Sequence, residues 1–107
     1  MGEIPSDLKE VLVGFRRRLE QSLRVDHLLL FGSRASGSWG KWSDVDLLIV
    51  SPSFEGKDLV ERSRLVRPFW PHGIPVDILP YTPKEFDVLA KEITLVRTAV
   101  AEGVEVS

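Results

Sequence analysis

The residues best suited to chemistry lie between Leu28 and Val50, in the stretch LLLFGSRASGSWGKWSDVDLLIV. Two aspartates, Asp44 and Asp46, stand one residue apart at the entrance to the apolar run VDLLIV. Aspartate is a poor strand former and costly to bury unless a charge or a metal meets it. Alternate residues of a strand share a face, so the two carboxylates are expected to project together while Val45 turns to the core. A third acid, Asp77, sits near the start of another apolar run, PVDIL. Three carboxylates brought together repel one another unless a cation intervenes. Oxygen donors without His or Cys suit a hard divalent cation, Mg2+ or Mn2+. Gly32 permits a tight turn and a close approach to a ligand, and Ser33 offers a hydroxyl and an N–H to a phosphate oxygen. Metal, phosphate cradle and third acid together describe phosphoryl or nucleotidyl transfer by paired metals.

Such a site needs strands that bring the acids together. HLLLF, from His27 to Phe31, reads as a short buried strand ended by Gly32, and Val45 to Val50 as a second. Pro75 to Tyr81 reads as a third strand with proline at its start and near its end. If the Gly-Ser turn is to face the aspartates, strands one and two must be antiparallel. Strands two and three are joined through a helix predicted over Lys57 to Arg67 and stopped by Pro68, which favours a parallel pair. Asp77 then lies near the start of its strand, as Asp44 and Asp46 do.

Helices flank these strands. Leu8, Val11, Leu12, Phe15, Leu19 and Leu23 follow a helical period behind a Ser6 cap. The last helix has Thr82 as cap, Pro83 in the first position and Glu85 to complete a capping box. Phe86, Leu89, Ala90, Ile93, Val96 and Val100 line its apolar face, and Gly103 ends it. A fourth strand is expected at Val104 to Val106. The fold class is therefore α/β, a short mixed β-sheet with helices packed mainly on one face.

Composition narrows the function classes. A chain of 107 residues, 43% hydrophobic and 28% charged, reads as a single domain spanning 1–107 with a real core. The absence of cysteine excludes a disulfide scaffold and a thiolate metal site. No apolar run approaches a membrane span, and MGEIPSDLKE is no signal peptide, so a cytoplasmic protein is expected. A net charge of −2 argues against general binding to duplex nucleic acid.

Gly32-Ser33, ten residues, then Asp44-x-Asp46 and an apolar strand resemble the signature of the DNA polymerase β-type nucleotidyltransferase superfamily. More narrowly, FGSRASGSWGKWSDVDLLIV resembles the minimal nucleotidyltransferases, from roughly Leu8 to the end of the last helix. The resemblance implies the nucleotidyltransferase fold, with Asp44 and Asp46 holding two Mg2+ ions. Asp77 would help hold the catalytic ion and activate an acceptor hydroxyl. Gly32 and Ser33, with Arg34 as a further phosphate clamp, would hold ATP or another nucleoside triphosphate. Members of this group are often paired with a small helical toxin of the HEPN class, and some attach AMP to one of its tyrosines, acting as antitoxins. Trp39, Lys41 and Trp42 depart from the small and charged residues more usual in the insert.

Plainer readings stand beside these. Asp44 and Asp46 read alone are turn and cap residues, Asp77 a solvating residue of an edge strand, and Arg34 a surface arginine. Arg16-Arg17-Arg18 reads as a solvated helix face, His72 as a loop residue, and Phe69 and Trp70 as core or interface. As a whole, the alternative to an enzyme is a catalytically silent antitoxin that neutralises its partner by covering it.

Overall fold

The computed structural model describes residues 6–31, 45–71, 73–91 and 104–106. Helix α1 (Ser6–Glu20) leads into β1 (His27–Phe31), and β2 (Val45–Val50) leads into α2 (Leu59–Val66). β3 (Val76–Tyr81), α3 (Pro83–Lys91) and β4 (Val104–Glu105) complete the order. The strands form one mixed sheet in the order β3-β2-β1-β4. β1 and β2 are antiparallel, with His27 opposite Val50 and Phe31 opposite Asp46. β2 and β3 are parallel, from Val45 opposite Val76 to Val50 opposite Tyr81. β4 pairs antiparallel with the other side of β1. The directions of the first three strands are those expected from the sequence, which left the direction of the fourth open.

The period-two alternation of the strands divides the core between two faces. Leu28, Leu30, Leu47, Ile49 and Val76 pack against Leu12, Phe15 and Leu19 of α1 and Val66 of α2. Leu29, Leu48 and Val50 pack on the other side against Leu79, Tyr81 and the α3 residues Phe86, Leu89 and Ala90. Two of the three described helices thus share one face, and α3 covers part of the other. Ile93, Val96 and Val100, expected on the same helical face, lie outside the described residues.

Between α2 and β3 the chain is pinned rather than merely stopped. Pro68 sits within a 3₁₀ turn, Arg67–Phe69, that continues from α2. The Trp70 ring packs edge-on against Phe15, centroids 4.9 Å apart. Its indole N–H donates to the Ile74 carbonyl at 2.8 Å. Gly73, at φ +87°, supplies the left-handed backbone that this turn requires. The segment leading to Asp77 is therefore held against α1.

The arginine run of α1 differs from the solvated face expected of it. Arg16 donates to the carbonyls of Val106 and Val25 at 2.5 and 3.3 Å, tying the residue after β4 to the helix. Arg18 donates to the Phe69 carbonyl at 3.2 Å. The guanidinium heads thus reach carbonyls of the connection after α1, of the residue after β4 and of the Arg67–Phe69 turn. Within the run, only Arg17 and Arg18 keep largely exposed side chains.

Candidate active site

The parallel register of β2 and β3 sets Asp46 directly opposite Asp77. Adjacent strands run about 4.8 Å apart, so the two side chains leave the sheet as neighbours on one face. Val76 faces the core shared with α1, which turns Asp77 to the α3 side. On that side Leu48 and Leu79 are the next residues inward, and both are covered by α3. The acids therefore occupy the rim of this face, Asp46 half-buried and Asp77 exposed. Like charges in direct register oppose one another.

β1 reaches the same rim from the opposite direction. Its last residue, Phe31, lies opposite Asp46, and β2 begins at Val45. The chain thus leaves the described sheet for Gly32, and re-enters it from Asp44, at the end where Asp46 and Asp77 meet. Gly32, Ser33, Arg34 and Asp44 themselves lie outside the described residues, as do Trp39, Lys41, Trp42 and His72. Among the described residues no group of three or more His, Cys, Asp or Glu gathers in one place. The structure brings together two of the three predicted acids.

A charged cluster that the sequence reading missed lies at the other end of the same strands. Arg62 of α2 is buried, and its guanidinium donates to Glu85 Oε1 and Oε2 at 2.6 and 3.1 Å. It also donates to the Lys57 and Pro80 carbonyls at 2.8 and 3.1 Å. Glu85 is at once the capping-box acid of α3, accepting from the Thr82 N–H at 2.9 Å. Hydrogen bonds from Arg62 hold the Glu85 carboxyl below its ordinary range, with desolvation opposing and the Thr82 N–H assisting. The same pairing with Glu85 raises Arg62 above the usual guanidinium value. The clasp joins helices on opposite faces of the sheet across the end of β3, where Pro80 has no N–H to offer a further strand. One signal for α2 was readable: Asp58 and Glu61 form a capping box, so the helix starts at Leu59 rather than Lys57.

A family model of nucleotidyltransferase domains matches residues 12–100 of this sequence. The chain belongs to the nucleotidyltransferase domain family. The match supports nucleotidyl transfer as its general function and a nucleoside triphosphate as its substrate class. A crystal structure from Sulfolobus solfataricus, described as a "putative nucleotidyltransferase", is similar in fold, with a TM-score of 0.68 at 21% identity. The likeness covers 92% of this nucleotidyltransferase domain and 78% of the other chain. Comparison with curated proteins finds no significant match. No described helix of the domain is long and apolar enough to cross a membrane.

Proposed function

We propose that this nucleotidyltransferase domain transfers AMP from ATP to a hydroxyl of a partner protein, a tyrosine of a helical HEPN-type toxin, and so acts as an antitoxin. The observation that carries the reading is the register: Asp46 opposite Asp77, with the end of β1 beside Asp46. The donors fit a hard divalent cation, being carboxylates that stand in register at an accessible rim. Asp44, Asp46 and Asp77 would hold Mg2+, two ions in all, or Mn2+ in its place. Bound there, the ions supply charge neutralisation for the triphosphate and a lowered pKa for the acceptor hydroxyl.

The remaining work falls to the chain's own groups. Gly32 and Ser33 cradle the phosphates through backbone N–H and hydroxyl, and Arg34 clamps them. Asp77 orients the acceptor hydroxyl and takes its proton. The hydroxyl oxygen then bonds to the α-phosphorus, the bond from that phosphorus to the bridging oxygen breaks, and pyrophosphate leaves. Asp77 sits where an acceptor can reach it, since it is the exposed member of the pair on an edge strand.

The test is incubation of the chain with labelled ATP, Mg2+ and a helical HEPN-type protein, followed by intact mass. Added AMP on the partner is the expected result. A bound but unmodified partner would instead make the chain a silent antitoxin that works by coverage.

A further inference from the structure

The outward side of α2 exposes Leu59 and Val60 to 60% and 59%, more than any buried function of the helix requires. These two residues open two rows at helical spacing, Leu59–Ser63–Arg67 and Val60–Arg64–Pro68. The rows line an open, shallow groove of about 620 Å³ on the outer face of this helix and the turn after it. Its apolar floor has a basic rim, for Arg64 and Arg67 are exposed. Among the described residues neither guanidinium has a hydrogen bond or an ion pair. The chain as a whole carries a net charge of −2, so this is a local reversal of sign.

The groove is also directed. Arg62, in the first half of α2, reaches the Pro80 carbonyl near the end of β3. Trp70, beyond the helix, reaches Ile74 ahead of the start of β3. α2 therefore runs back along the sheet, and its Arg67–Pro68 end lies at the strand end that bears Asp46 and Asp77. α2 and the acids lie on opposite faces of the sheet, but β3 is the edge strand, so the way from one to the other runs around that edge.

We propose that this groove docks a helix of the acceptor protein, one whose apolar face is flanked by carboxylates, and so delivers the acceptor hydroxyl around the β3 edge. The apolar floor takes the helix face, and Arg64 and Arg67 pair with its acids. The delivery role rests on the transfer reading above, whereas the docking itself does not.

The probe is an amphipathic helical peptide with leucines at i, i+3, i+4 and i+7 flanked by glutamates, and a lysine-flanked counterpart as control. Titration into the isotopically labelled full chain should shift amide signals along Leu59 to Arg67. Val60→Asp and the pair Arg64→Glu, Arg67→Glu should each weaken binding by about tenfold or more. These positions are exposed, and retention of the Mg-ATP thermal shift in the variants verifies that they fold. Equal affinity for the lysine peptide would overturn the proposal, as would shifts mapping elsewhere. Groove shifts that grow with protein concentration alone would assign the face to a second copy of the chain and overturn it too. A missing Mg-ATP shift in wild type beside intact peptide binding would sink the catalytic reading and leave the docking surface standing.

Discussion

The two ends of the β2–β3 pair treat charge in opposite ways. At the far end, Arg62 and Glu85 meet as a bidentate pair, with the capping N–H of Thr82 on the same carboxylate. At the near end, Asp46 and Asp77 stand in direct register as like charges. The first arrangement holds two helices to one strand and adds to stability. The second sets two carboxylates side by side, an arrangement in which like charges on adjacent strands repel. A fold keeps such a pair where charge is needed for something other than folding. In a nucleotidyltransferase domain the near end is thus the place to look for chemistry.

The sharpest way to break this comparison is to neutralise the near end. Asp77→Asn is close to isosteric and removes one of the opposed charges. Transfer should fall by about two to four orders of magnitude, while urea unfolding shows a stability equal to or above wild type. Asp46→Asn should lose transfer and weaken metal-dependent nucleotide binding together. A variant Asp77→Asn that transfers at the wild-type rate would make Asp77 a structural residue.

Neutralising the far end should do the reverse. Arg62→Met keeps most of the side-chain volume but leaves the Lys57 and Pro80 carbonyls and the Glu85 carboxylate without their donor. Arg62 is buried but Glu85 is partly exposed and can be solvated, so the loss comes mainly from the unpaired carbonyls and is about 1–3 kcal/mol. The urea midpoint should drop accordingly, with transfer in the remaining folded fraction close to normal. Loss of transfer without loss of stability would mean that the two ends are coupled.

The ends also differ in response to ligand. Mg2+ with ATP should raise the melting temperature through the near end, since a ligand bound only to the folded state at about a hundred times its Kd adds about 2.7 kcal/mol. The same titration should move Arg62→Met by as much as wild type and Asp46→Asn by much less. Equal shifts in all three chains would place the metal elsewhere.

The near end was legible in the sequence because it follows from strand rules. Apolar runs bounded by Gly32, Asp44 and Pro75 gave the strands, and the intervening α2 implied a parallel partner, which puts Asp77 beside Asp46. The same spacing marks Asp44, Gly32 and Ser33, which lie outside the described residues. The far end was not legible. Arg62 and Glu85 are separated by 23 positions, and nothing in the local pattern marks that arginine as buried. Glu85 was identified through its capping box, a local motif, and its second partner is a tertiary fact. Arg16 and Arg18 escaped for the same reason: their acceptors at Val106 and Phe69 belong to distant segments, and the nearer one at Val25 lies beyond the end of the helix.

The smallest expected effect separates the clasp from an ordinary surface pair by its pH dependence. Glu85 has its carboxyl pKa lowered in the folded chain, first by Arg62 and with help from Thr82. A lowered folded value means that the protein binds the Glu85 proton more weakly than the unfolded chain does. Its contribution is therefore complete above the unfolded carboxylate pKa, about 4.3, and is lost as the pH falls through the lower folded value. Arg62 stays charged throughout that window, since its own value is raised from an already high one. The Glu85 side chain remains 42% exposed, so solvent screening keeps the effect modest, below about 1 kcal/mol. Urea midpoints measured from neutral pH down to the acid limb should fall more steeply in wild type than in Glu85→Gln, which has no carboxyl to protonate. The two curves should converge at the acid end, where wild type has lost the charge that the variant lacks at every pH. Parallel curves would mean that Glu85 contributes as a neutral hydrogen-bonding cap, and that the contrast in charge between the two ends is one of geometry alone.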